Sequence, residues 1–201
     1  MAKVKICGIT RPEEIAYGNA YQPDYIGFVF ARSRRQVSLQ KAQELRRQLD
    51  SRIQAVGVFV DEEFQKVVEA VETGAIQMIQ LHGQEDEAYL KALRRRTSVP
   101  IIKALAVNSS LDIQKANESS GDYVLLDYRK PGSGRSFDWE LLKGMTRAYF
   151  LAGGICSDNI EEALGLPRLL ALDISSGVEK DGKKDESLIR DCIRRIRNDE
   201  R

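Results

Sequence analysis

Proton-transfer chemistry needs a base and an acid held over the same reacting atoms, and two residues of this sequence suit those parts. Cys7 closes an apolar run at residues 4–7 and precedes Gly8; Asp127 follows the run at 123–126. A thiol at a strand end facing a pocket can serve as base or nucleophile. Its ordinary pKa of ~8.5 means that it needs help to ionise near neutral pH. A carboxyl whose pKa is raised by partial burial can serve as general acid. Paired, the two suit an acid–base isomerisation that uses no metal and no cofactor. Each also has a plainer reading, Cys7 as a small core residue and Asp127 as a brace for its loop.

Anion chemistry is written in the glycines. Gly153 and Gly154 follow the run at 149–152, and Ser175, Ser176 and Gly177 follow the run at 169–174. Glycines let backbone N–H groups approach a phosphate closely, and a helix N-terminus adds partial positive charge. Gly132 and Gly134 lie in a third such loop, after the sixth run. The same residues would also serve tight turns. Arg32, Arg34 and Arg35 follow the second run; arginine suits bidentate recognition of a carboxylate, and the alternative is a solvated basic turn. His82 is the only histidine, and with no paired nucleophile it makes no catalytic triad. Asp173 lies inside the last apolar run, where an unpaired charge is costly. Lys5 shares its side of the first run with Cys7, so a Lys5–Asp173 ion pair is expected if the first and last runs are neighbours.

These residues need a frame that gathers strand ends. Eight apolar runs, at 4–7, 25–30, 55–60, 76–81, 101–106, 123–126, 149–152 and 169–174, mostly lack polar alternation. Strands buried on both faces read this way. Amphipathic stripes lie between them: Phe64, Val67, Val68 and Val71; Leu188, Ile189, Cys192, Ile193 and Ile196; and, more weakly, Ala42, Leu45 and Leu49. The stretch at 109–120 is the least regular of the helical patterns. Strand–helix alternation predicts an α/β fold with a parallel sheet. The 201 residues meet the lower size, ~200 residues, of a closed (β/α)8 TIM barrel, here one domain over 1–201. An open doubly wound sheet is the structural rival. In a barrel the site lies at the C-terminal strand ends, where Cys7, Asp127 and the glycine loops fall.

Composition removes other classes. Lys and Arg number 31 against 30 Asp and Glu, a net charge of +1, so the broad basic field of a nucleic-acid binder is missing. The longest apolar runs are far short of the ~20 residues that span a bilayer. The start, MAKVKICGIT, has no apolar leader and no cleavage site, and three scattered cysteines make neither a disulfide framework nor a zinc site. A cytoplasmic protein with free thiols is expected.

Taken in order, KVKICGIT at 3–10, DYIGFVFARSRR at 24–35, AVGVFV at 55–60, IQLHG at 79–83, LLDY with PGSGRSFDW at 125–139, LAGGI with DNI at 151–160 and LDISSGVE with GKKD at 172–185 resemble the phosphoribosylanthranilate isomerase family over nearly the whole chain. The resemblance implies a (β/α)8 barrel and an Amadori-type isomerisation in tryptophan biosynthesis, acting on a phosphorylated small molecule without a cofactor. It implies Cys7 as base and Asp127 as acid. Arg35, with Arg34 as the other choice, would hold the anthranilate carboxylate. Gly153, Gly154, Ser175, Ser176 and Gly177 would hold the phosphate, with Gly132 and Gly134 closing over the sugar; His82 and Asp173 would also face the substrate. The histidine-pathway isomerase, which resembles a two-aspartate site, and a non-catalytic phosphate-binding subunit are the rivals. Monomer and homodimer both stay open.

Overall fold

A computed structural model describes residues 1–127 and 139–197. Strands and helices alternate along the chain: β1 Lys3–Cys7, α1 Pro12–Tyr21, β2 Tyr25–Val29, α2 Leu39–Arg46, β3 Gln54–Phe59, α3 Phe64–Glu72, β4 Met78–Leu81, α4 Glu87–Arg96, β5 Ile101–Ala106, α5 Ser110–Glu118, β6 Tyr123–Asp127, β7 Tyr149–Ala152, α6 Ile160–Leu164 and β8 Leu169–Ile174. A two-stranded hairpin, β9 Glu179–Lys180 and β10 Lys183–Lys184, precedes α7 Glu186–Arg197. Strands β1 to β8 form a closed barrel in sequence order. The deciding pairing is β1 with β8, parallel, with Lys3, Val4, Lys5 and Ile6 opposite Ala171, Leu172, Asp173 and Ile174. An open doubly wound sheet would leave those two strands apart, so the barrel reading stands.

The apolar runs are strands because both of their faces find apolar cover. Successive side chains alternate across a strand. Val4, Ile6, Ile26, Phe28, Val124, Leu126, Leu172 and Ile174 belong to the larger core, which packs against the helices. Tyr25, Val56, Met78, Ile102, Leu125, Phe150 and Ala171 form a second cluster that fills the barrel. Each such fully buried side chain contributes roughly 1.5–3 kcal/mol relative to exposure. Helix α7 keeps the stripe read from the sequence, with Ile189, Cys192, Ile193 and Ile196 buried, and it lies against α1, α6 and β1.

Helix starts follow local chemistry. Ser38 accepts from Lys41 N and caps α2; Asp86 accepts from Tyr89 N and caps α4. The irregular stretch at 109–120 does fold, as α5. Leu49 lies beyond the end of α2 yet is buried, so the weak stripe ran past its helix. The hairpin was not anticipated, because its strands are two residues each and polar. Its turn was marked all the same: Asp181 and Gly182 both take positive φ, 51° and 76°, as a tight hairpin turn requires. Before β7 the described chain holds a 3₁₀ turn, Trp139–Gly144, rather than an α-helix.

Candidate active site

Alternation sends Lys5 and Cys7 of β1, Gln80 of β4, Asp127 of β6 and Asp173 of β8 into the barrel. Lys5 is fully buried, and its ammonium donates to Asp173 Oδ2 at 2.7 Å and to Gln80 Oε1 at 2.9 Å. Gln80 Nε2 lies 3.2 Å from His82 Nδ1, and His82 Nε2 lies 3.0 Å from Asp127 Oδ2. A line of polar contacts thus crosses the lumen from β8 to β6. The expected Lys5–Asp173 pair is there, between register partners. Burial works against the Lys5 charge, but Asp173 and Cys7 together outweigh it and hold the ammonium above its ordinary pKa. The second carboxylate oxygen, Asp173 Oδ1, is buried and makes no hydrogen bond among the described residues.

Cys7 is buried where β1 ends. Burial pushes its thiol up, and the nearby cations Lys5 and Lys184 pull the other way. Opposite Cys7 in register stands Gly27 of β2. A Cβ on Gly27 would fall 2.7 Å from Cys7 Sγ, so the glycine leaves room for the sulfur. After the strand, Gly8 turns with φ +88°, and a Cβ there would meet Arg35 Cδ at 2.3 Å. The loop is then tied down by Glu14, whose Oε2 accepts from Thr10 N at 2.7 Å and Arg11 N at 3.2 Å.

Arg35 and Arg34 reach over this loop to Glu179 of the hairpin. Arg35 Nε donates to Glu179 Oε1 at 2.6 Å and Arg35 Nη2 to Oε2 at 2.8 Å; Arg34 Nη2 donates to Oε2 at 2.6 Å. Lys184 closes the cluster from below, donating to Glu179 Oε1 at 2.8 Å and to the Ser175 carbonyl at 2.9 Å. Burial opposes ionisation of Glu179, but the hydrogen bonds from Arg35 and Lys184 outweigh it and hold the carboxyl at about 2. Arg35 is the better enclosed arginine, its side chain 22% exposed against 59% for Arg34. Sequence reading did not single out Glu179 or Lys184; both fall in the last matched stretch, SSGVE with GKKD.

The glycine loops adjoin. Gly153 and Gly154 follow β7 with φ +92° and +75°, and the space above Gly154 is open. Gly177 lies against the other loop so closely that a Cβ would sit 2.0 Å from the Ile155 carbonyl oxygen. Ser175 Oγ donates to the Cys7 carbonyl at 3.0 Å, which ties the eighth loop to the first. After β8 the chain makes a single 3₁₀ turn, Ser176–Val178.

A cleft of about 1230 Å³ opens over these strand ends, with Cys7, Arg35, His82, Asp127, Gly154 and Ser176 among its walls. Gly153, Asp173 and Ser175 line it too. Gly177 stands behind them, and Gly132 and Gly134 lie outside the described residues. His82, expected against the substrate, engages protein neighbours with both ring nitrogens. Gln80 was missed because it sits inside an apolar run, where its only signal was being polar in the wrong place.

The model of the family described as N-(5'phosphoribosyl)anthranilate (PRA) isomerase matches residues 4–195. The chain belongs to this family. It is 44% identical over 200 residues to the N-(5'-phosphoribosyl)anthranilate isomerase of Clostridium kluyveri, covering 98% of this chain and 99% of that one. The crystal structure of phosphoribosyl anthranilate isomerase from Thermotoga maritima superposes with a TM-score of 0.88 at 34% identity, covering 98% of this chain and 100% of that one. A further structure of the family, in complex with reduced 1-(o-carboxyphenylamino)-1-deoxyribulose 5-phosphate, has a TM-score of 0.85 at 32% identity, with 98% and 100% covered. The family's barrel is the fold described above. Among the described residues, no helix is long and apolar enough to cross a membrane.

Proposed function

We propose that this phosphoribosylanthranilate isomerase converts N-(5-phosphoribosyl)anthranilate to 1-(2-carboxyphenylamino)-1-deoxyribulose 5-phosphate, with Cys7 as base and Asp127 as acid. The observation that supports it best is that Cys7 and Asp127 open onto one cleft, between the Arg35 edge and the glycine loops of β7 and β8.

Asp127 gives its proton to the furanose ring oxygen, and the C1′–O bond breaks to leave a Schiff base and a free hydroxyl. The Cys7 thiolate takes the proton from C2′, and the electron pair of that bond neutralises the iminium as an enolamine. Loss of the enol proton and protonation at C1′ then give the ketone. Backbone N–H groups around Gly153, Gly154, Ser176 and Gly177 hold the phosphate, an arrangement suited to close approach. Arg35 keeps Nη1 for the anthranilate carboxylate while Glu179 holds its other side. Asp173 Oδ1, buried without a partner among the described residues, accepts from a substrate hydroxyl.

The test is an isomerase assay in which phosphoribosylanthranilate is generated in situ and its fluorescence loss is followed. General acid and base contributions are ~10²–10⁴-fold each. Cys7→Ser and Asp127→Asn are therefore each expected to lose turnover by that order while still binding a reduced product analogue. Near-normal turnover in either variant removes the role assigned to that residue, and an inactive, folded wild type overturns the reading.

A further inference from the structure

Gln80 is 1% exposed at the centre of the barrel, between Lys5 and His82. An amide has one end that accepts and one that donates, and its two orientations differ in what they ask of each neighbour. Here one neighbour leaves no choice. The Lys5 ammonium has donors only, so the amide oxygen must face it, as it does at 2.9 Å. Asp173 holds Lys5 in place from the other side at 2.7 Å. The amide N–H₂ then faces His82 Nδ1 at 3.2 Å. A donor there requires Nδ1 to accept with its lone pair, so the ring proton belongs on Nε2. That nitrogen lies 3.0 Å from Asp127 Oδ2.

We propose that Gln80, oriented by the Lys5–Asp173 pair, is a positioning residue that fixes His82 as the neutral Nε2–H tautomer donating to Asp127 Oδ2. The catalytic consequence rests on the reading of Asp127 as the acid. His82 Nε2–H then donates to Oδ2 of the carboxyl that supplies the proton to the ring oxygen. An imidazolium would need a second proton on Nδ1, pointing at the amide N–H₂, and the two donors would oppose each other. The ring is thereby kept from placing a full positive charge beside the acid. Gln80 acts through His82, its side chain bonding Lys5 and His82 rather than Asp127; removing it alters which proton sits where. A substitution that forces the wrong tautomer on a catalytic relay costs rate without moving its atoms.

The chain has one histidine, which makes the test unambiguous. Protein labelled with ¹⁵N-histidine is examined by long-range ¹H–¹⁵N correlation at neutral pH, where protonated and unprotonated ring nitrogens are well separated. The wild type is expected to show a protonated Nε2 and a bare Nδ1. In Gln80→Glu an acceptor replaces the donor, and Nδ1 is expected to gain a proton. Turnover in Gln80→Glu should fall by roughly 10²-fold, the lower end for a general acid, with KM little changed. A wild-type spectrum with Nδ1 protonated overturns the proposal even if no variant folds. So does a Gln80→Glu protein whose spectrum is unchanged, or one whose spectrum changes while kcat does not. Activity retained by Asp127→Asn, in contrast, removes the acid role and leaves the spectrum to decide the tautomer.

Discussion

Arg35 meets Glu179 as a fork, Nε on one carboxylate oxygen at 2.6 Å and Nη2 on the other at 2.8 Å. Such a bidentate contact fixes the plane of the guanidinium as well as its position. The arginine proposed to bind a carboxylate substrate group is thus aimed by a carboxylate of the protein.

Glu179→Gln keeps the shape of that contact and removes its charge. A hydrogen bond to a charged group is worth about 1.5–3 kcal/mol, so KM for phosphoribosylanthranilate is expected to rise by roughly ten- to a hundredfold with a smaller change in kcat. The same variant tests the acid limb of stability. With its pKa held at about 2 against an ordinary 4.5, ionised Glu179 contributes stability that is fully present above 4.5. That contribution is lost as pH falls through about 2. Urea midpoints measured across this window should fall more steeply for the wild type than for Glu179→Gln; parallel curves would count against the cluster.

Asp173→Asn leaves the Lys5 ammonium without its counter-charge in the barrel interior. Breaking a buried pair from one side costs about 3–5 kcal/mol, read as a lower midpoint in urea unfolding. A midpoint equal to that of the wild type would mean that Lys5 finds its neutralisation elsewhere.

Gly27→Ala adds a methyl 2.7 Å from the Cys7 sulfur and 3.1 Å from its Cα. Overpacking of this kind costs about 1–3 kcal/mol, so the protein should still fold. The thiol, however, must shift, and kcat is expected to drop by roughly tenfold or more, since proton transfer depends on hydrogen-bond-scale geometry. Full activity in a folded Gly27→Ala protein would show that the sulfur has room to spare.

Burial pushes the Cys7 thiol up, against the pull of Lys5 and Lys184. Its alkylation by iodoacetamide, followed at the Cys7 peptide by mass spectrometry, should therefore have a midpoint above the ordinary ~8.5. With the thiolate as the proposed base, kcat/KM is expected to climb with pH along the same limb. A midpoint below the ordinary value would make the two lysines the dominant influence.

The strands were legible because burial on both faces leaves long apolar runs, and three runs, 101–106, 149–152 and 169–174, match their strands end to end. The proposed acid–base pair stood out by position alone, as polar residues where apolar runs stop, and both residues line the cleft. Lys5 and Asp173 were legible together because a two-residue period and barrel closure both point them at each other. Glu179 and Lys184 were not. They act through a polar hairpin with no hydrophobic pattern, and the arginine partners of Glu179, Arg34 and Arg35, lie some 145 residues earlier. Gln80 was hidden for a related reason: it stands on β4 and Lys5 on β1, strands that do not pair, and only the three-dimensional lumen brings the two together.

The staple between Lys5 and Asp173 joins residues 168 apart in sequence. A ribosome delivers the first strand long before the last, and β1 has no second edge partner until β8 has emerged. Contacts of such long range are slow to form, because the loop they close must be ordered first. Until then a lysine lies in an unfinished apolar channel with no carboxylate to meet it, which disfavours any prematurely closed ring of seven strands. The ammonium that completes the ring also orients Gln80 and stands beside Cys7. Closing the ring and arranging the polar line beside Cys7 thus depend on the same ammonium.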